Sequence, residues 1–215
     1  MGVHLYKHKF SYMSVPKVAC TSLKHFFFEI ENGFPFSPYK TNGKHRDIHN
    51  AGYPSRVYER EVHPQMKDHW KVAVVRDPVD RLLSCYANRV LGYKCLSNIA
   101  ISEEDREAGV VPDPDLKTFI GLFWRYRQIS HEIYHHALPM VSYLGNDPKY
   151  YDVIYPISEV GRLAEDVAAK VGTVPALKRM QTSGTKIDRT MLNERQIEKV
   201  KRIFAKDYDI YGQFI

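Results

Sequence analysis

The chain has 215 residues, a length suited to one domain with a substantial core, and its 44% hydrophobic and 26% charged residues are ordinary for a globular protein. No apolar run nears the roughly 18 residues of a membrane-spanning helix, so no such span is expected in this chain. A net charge of +6 and an isoelectric point near 9.1 favour anionic ligands, but there is no dense Lys/Arg tract with interleaved aromatics and no zinc-finger, RNP or helix-turn-helix pattern, so nucleic acid is not an expected partner.

In chain order, residues 1–9 lack the apolar core of a signal peptide. The expected location is therefore bacterial cytoplasm, with a luminal domain trimmed from a membrane-anchored enzyme as the other possibility. A short β-prone segment from Phe10 leads through small residues and one lysine into a helix whose face is marked by Leu23, Phe26, Phe27 and Ile30 and which ends near Asn32-Gly33. Residues 34–69 are polar, are interrupted by Pro35, Pro38, Gly43, Gly52, Pro54 and Pro64, and are expected to be irregular. A loop of that length inside a compact domain tends to carry function.

Residues 71–75 predict a buried strand, after which Arg76 is followed by Asp77 as N-cap and Pro78 as first helical residue. The helix from Val79 to about Leu91 buries Leu82, Leu83, Tyr86 and Val90. Residues 97–115 read as an acidic surface loop, and Leu116, Phe119, Ile120, Phe123 and Trp124 then lie at helical spacing, with their aromatics assigned to the core. A strand follows over 151–157. Ser158 is expected to cap a helix with the stripe Val160, Leu163, Ala164, Val167, Ala168 and Val171. After a polar, basic stretch containing residues 178–186, Asn193 and Gln196 form a capping-box pattern at the start of the last helix.

Two strand-to-helix junctions carry chemistry. At the first, the amides of Val18, Ala19, Cys20, Thr21 and Ser22 and the start of a helix form an anion cradle, with Lys17 adding a full charge. The G-x-x-x-x-G-K-[ST] pattern is absent, and the lysine precedes the small residues instead of following them. At the second, Arg76 closes a strand and Ser84 lies about two turns into the following helix, so both are candidates for one phosphate. Cys20 at a helix start is a candidate nucleophile, but no Cys/His/Asp arrangement supports it, and a small residue lining the loop is the favoured reading. Three cysteines are too few and too irregularly spaced for a disulfide framework or a zinc site.

With Pro16-Lys17-Val18-Ala19-Cys20-Thr21 in the first stretch and Val75-Arg76-Asp77-Pro78-Val79-Asp80-Arg81-Leu82-Leu83-Ser84-Cys85-Tyr86 in the second, the chain resembles the sulfotransferases that use 3′-phosphoadenosine 5′-phosphosulfate (PAPS), and among them most the carbohydrate sulfotransferases. In that family P-K-x-G-C-T binds the 5′-phosphosulfate and V-R-D-P-x-x-R-L-x-S-x-Y the 3′-phosphate. Ala19 departs from the usual glycine, so this position must either keep φ below zero or carry a small strain. Residues 203–212 are similar to the family's closing segment, and His136 to Pro139 resemble an H-x-x-P element that implies a place for His136 near the acceptor.

The resemblance implies a single P-loop-like three-layer α/β domain over residues 1–215, with a mostly parallel sheet flanked by helices and the ligand at the carboxyl ends of the strands. It implies an enzyme that moves a sulfuryl group from PAPS to a hydroxyl of a carbohydrate-type acceptor by in-line transfer. Lys17 would neutralise charge, the 18–22 segment would hold the 5′-phosphate, and Arg76 and Ser84 the 3′-phosphate. No metal is expected, because the sequence offers no carboxylate site for one. The family's basic loop over the 3′-phosphate corresponds to about residues 178–186, against which stands an ordinary basic loop.

The attacking hydroxyl needs a base titrating near neutrality, and the histidines of the long irregular stretch, His45, His49 and His63, supply candidates. His49 is the first choice and His45 the second. A solvent-facing or structurally bonded loop histidine is the competing reading for each. Two rivals for the whole chain come from other classes: a nucleotide kinase-like phosphotransferase, which the missing Walker pattern opposes, and a non-catalytic anion-binding protein on the same fold. Acceptor identity and oligomeric state have no signature in the sequence.

Overall fold

A computed structural model describes residues 2–55, 57–58, 66–180 and 185–215. Their elements run β1 (Val3–Leu5), β2 (Phe10–Met13), α1 (Cys20–Asn32), β3 (Tyr39–Thr41), β4 (Lys44–Arg46), β5 (Trp70–Val75), α2 (Pro78–Cys85), α3 (Glu103–Glu107), α4 (Leu116–Gly121), α5 (Phe123–Ile129), α6 (His131–Ala137), α7 (Val141–Leu144), β6 (Val153–Pro156), α8 (Val160–Val171), α9 (Glu194–Ile203) and α10 (Ala205–Tyr211). Two π-helical turns occupy Ile48–Gly52 and Tyr86–Gly92. The chain forms two compact units, one of Met1–Arg76, Met140–Gln181 and Ile210–Ile215, the other of Asp77–Pro139 and Thr182–Asp209.

The first unit holds a four-stranded sheet in the order β1-β2-β5-β6, with β1 antiparallel to β2 and the other neighbours parallel. This is the mixed α/β architecture with a mostly parallel sheet that the sequence predicts. Val72 to Val75 are wholly buried, as befits an unbroken apolar run in a central parallel strand. Paired residues share a face, and the register aligns Phe10 with Trp70, Tyr12 with Val72 and Val153, and Val74 with Tyr155. On that face α1 sets Phe27 against Phe10 and Tyr12, at ring distances of 4.9 and 5.3 Å. The amphipathic α8 lies on the same face, where Tyr155 donates its hydroxyl to Asp166 (2.7 Å) and the Lys170 ammonium sits over Trp70. The carboxyl ends of β2, β5 and β6 fall along one edge of the sheet.

The second unit is helical. Its core gathers Leu82, Leu83, Tyr86 and Val90 from α2 and the π-turn after it, Phe119, Ile120, Phe123 and Tyr126 from α4 and α5, and Val200 and Phe204 from the last helices. Arg81, 1% exposed, donates to the carbonyls of Leu138 and His136, so the motif's inner arginine ties α2 to the end of α6. Asp77 caps α2 by accepting from Val79 N–H, and it also accepts from Tyr208 Oη (3.1 Å) and pairs with Arg189 (2.6 Å). Arg189 reaches Asp80 as well, so the start of α2 holds both Arg189 and, through Tyr208, the closing segment.

Several local expectations change. Residues 34–69 are not wholly irregular: β3 and β4 form a hairpin across Asn42 and Gly43, whose φ values of 48° and 71° make the two-residue turn that Asn-Gly favours. The acidic stretch contains α3, capped by the Ser102 side chain and held by Arg125 through Glu104 and Asp105. The helix expected over 116–124 breaks at Leu122, and Trp124 is 49% exposed and so not core. Ser158 does not cap α8, because a 3-10 turn over Ile157–Glu159 intervenes and the N-cap is Glu159. The Asp77, Asn193 and Gly33 boundaries stand as expected.

Because Phe27 is wholly buried between two strand aromatics, Phe27→Ala should lower the unfolding free energy by about 3–5 kcal/mol, read from urea unfolding of both proteins.

Candidate active site

β2 ends at Met13, and residues 14–19 turn the chain into α1. Val15 and Val18 are wholly buried and pin the turn to the core, while Lys17 and Ala19 are half-buried. Lys17 has φ 67° and Ala19 has φ 49°, both in the left-handed region. For residues with a Cβ this costs about 1–2 kcal/mol each, so the alanine carries the strain that a glycine there would avoid. A left-handed residue followed by a helical one turns successive N–H groups to the same side, which is the geometry of an anion-binding concavity.

The first bond of the α1 ladder runs from Leu23 N–H to the Ala19 carbonyl, so the amides of Cys20, Thr21 and Ser22 precede the ladder. No side chain caps this helix among the described residues, although caps are present on most of the others, and the positive end of its dipole faces the cradle. The Val18 N–H donates to the Val15 carbonyl and closes the turn (3.3 Å). The Ser22 hydroxyl is also engaged, accepting from Met180 N–H (2.8 Å). The basic stretch thus begins against α1, and residues 181–184 within it lie outside the described residues.

Arg76 follows the last residue of β5 and donates from Nη1 to the Lys17 carbonyl (3.3 Å), which sets its guanidinium beside the turn. Ser84 is half-buried on α2, in the second unit. Cys20 is the first residue of α1 and half-buried, and Cys20, Cys85 and Cys95 form no disulfide. Among the described residues no three His, Cys, Asp or Glu side chains gather into a group able to hold a metal ion.

Of the loop histidines, His49 reaches the cradle. The Asp47 carboxylate caps the π-turn by accepting from His49 N–H and Asn50 N–H, and the turn packs on α1. This delivers His49, whose Nε2 lies 2.9 Å from Thr21 Oγ1 in the cradle. His45 is exposed on the hairpin, and His63 lies outside the described residues. His136 engages both ring nitrogens within the second unit, Nδ1 with the Glu132 carbonyl and Nε2 with Arg89, so that pair of contacts holds its orientation.

Sequence reasoning missed Lys24. It lies on α1 four residues after Cys20, is 0% exposed, donates to Ser55 Oγ (2.8 Å) and approaches His49 Nδ1 (3.1 Å). Burial pushes its amine down to about 8, against the opposing pull of Cys20 and Asp47. The only sequence signal was a lysine at helical spacing on the same side as Cys20, which periodicity alone would assign to a solvated face.

Two outcomes follow from this geometry. Ala19→Gly should relieve the left-handed strain and raise the unfolding free energy by about 0.5–1 kcal/mol, measured in urea. The lowered Lys24 value means that the unfolded chain binds more protons between pH 8 and 10.5, so this residue's contribution to stability rises with pH across that window. Compared with Lys24→Met, the wild-type protein should therefore gain about 1–3 kcal/mol of relative stability between pH 8 and 10.

A family model described as the sulfotransferase family matches residues 5–213, taking in both motif stretches on which the resemblance to carbohydrate sulfotransferases rests. No curated protein and no solved structure matches the chain. With nearly its whole length matched, the chain belongs to the sulfotransferase family.

Proposed function

We propose that this sulfotransferase takes its sulfuryl group from PAPS and transfers it to a hydroxyl of a carbohydrate, leaving adenosine 3′,5′-bisphosphate. Family membership carries sulfuryl transfer in general. The observation that carries the finer reading is the uncapped start of α1 behind a strained turn, with Lys17, Thr21 and Arg76 gathered about it and His49 at Thr21 Oγ1.

In this reading the amides of Ala19, Cys20, Thr21 and Ser22 hold the 5′-phosphate, and Lys17 offsets the charge that grows on the leaving phosphate oxygen as its bond to sulfur breaks. Arg76 takes the 3′-phosphate, and the assignment of Ser84 to the same group rests on the motif alone. His49 removes the proton of the acceptor hydroxyl as its oxygen bonds to sulfur. Most of the rate enhancement comes from aligning acceptor and donor. Single-domain behaviour over residues 1–215 belongs to the same proposal.

Adenosine 3′,5′-bisphosphate, adenosine 5′-monophosphate and magnesium ATP should be titrated against thermal unfolding. A ligand at a hundredfold excess over its Kd stabilises the native state by about 2.7 kcal/mol. The bisphosphate alone should do so, and a response confined to magnesium ATP would replace this reading with a phosphotransferase. Arg76→Ala should weaken the bisphosphate far more than the monophosphate. Lys17→Ala should lose transfer to a panel of sugar acceptors by at least a hundredfold while the thermal midpoint is retained.

A further inference from the structure

We infer that Lys24 is a positioning residue which, by giving up or keeping its proton, decides which ring nitrogen of His49 is basic. The inference rests on the reading of His49 as the base and adds what controls it.

Both nitrogens of the ring are committed. Nδ1 is 3.1 Å from Lys24 Nζ, and Nε2 is 2.9 Å from Thr21 Oγ1. An ammonium has only donors to offer. Facing a charged Lys24, Nδ1 must therefore accept, the ring proton must be on Nε2, and that N–H points at the Thr21 hydroxyl. In this form His49 cannot take a proton at Nε2. A neutral amine has a lone pair, so it accepts from Nδ1–H and still donates to Ser55 Oγ. The lone pair of the ring then lies on Nε2, on the side of the cradle, where an attacking hydroxyl would lose its proton. Once Nε2 has taken that proton, Nδ1 can pass its own to Lys24, and the pair ends the step with a charged lysine and a neutral imidazole.

The surroundings make this exchange accessible. Lys24 is wholly buried, so its charge cannot be relieved by water. Facing it are the Cys20 thiol from its own helix, the Asp47 carboxylate at the head of the π-turn, His49 and Ser55. Asp47 and Cys20 favour the ammonium, but Asp47 is occupied by the His49 and Asn50 amides, and burial outweighs both. The amine therefore titrates at about 8 instead of above 10, close enough to neutrality for both forms to be populated. An ordinary surface lysine would hold His49 in the blocked form throughout.

The test reads the tautomer directly, by ¹⁵N NMR of ring-labelled histidine in the whole chain between pH 6 and 9.5. The His49 signal is assigned by its loss in His49→Gln. The wild-type ring should pass from the Nε2–H to the Nδ1–H tautomer with a midpoint near 8, and the transfer rate should rise about tenfold per pH unit below that point. In Lys24→Met the midpoint near 8 should vanish from both profiles. Lys24→Arg keeps a charged donor at every pH, so it should hold the Nε2–H form across the range, and it decides the question if the methionine variant does not fold. A wild-type tautomer that does not change, or one that changes alike in the folded variants, overturns the role of Lys24. A tautomer switch as described together with a rate that ignores it overturns instead the reading of His49 as base.

Discussion

The parallel pairing of β2 with β5 sets where the chemistry of the first unit can be. In a parallel pair both strands end at the same edge, so the turn after Met13 and the arginine after Val75 emerge side by side although about sixty residues separate them. The bond from Arg76 to the Lys17 carbonyl is the local expression of that register. If the register slipped by one residue, Phe10 and Tyr12 would turn away from Phe27, and the turn would lose both its support and its arginine.

Strain and burial are both stored around the start of α1. Lys17 and Ala19 occupy backbone conformations that their side chains disfavour, and the buried Val15 and Val18 hold them there. Beneath the same helix turn lies an amine with no access to water, kept by an imidazole and a hydroxyl. Each feature alone is a cost to folding. Together they place donors and one titratable pair around a helix start that, among the described residues, no side chain caps.

The motif residues divide between recognition and architecture in a way their spacing does not announce. Arg81 and Asp77 stand in the same motif as Arg76, yet Arg81 bonds the carbonyls at the end of α6, and Asp77 serves a helix cap, Arg189 and Tyr208 of the closing segment. His136 likewise serves Arg89 and Glu132. The Ser22 hydroxyl anchors the chain at Met180, which leaves its amide out of that contact.

Local signals with a short physical range were legible in the sequence: the unbroken apolar run of β5, the Asp77-Pro78 helix start, the Asn193 capping box and the glycine that ends α1. The Asn42-Gly43 hairpin and the Ser102 cap were equally local but lay in stretches whose polarity suggested loops. The two strand-turn-helix junctions at residues 13–20 and 75–78 could be read because each is contiguous in the chain. What the tertiary structure alone decided was the company of single side chains. Lys24 became a buried partner of His49 and Trp124 an exposed aromatic, because helical periodicity says which residues share a face but not what is packed against that face. That depends on contacts between residues far apart in the chain, which only the folded register brings together.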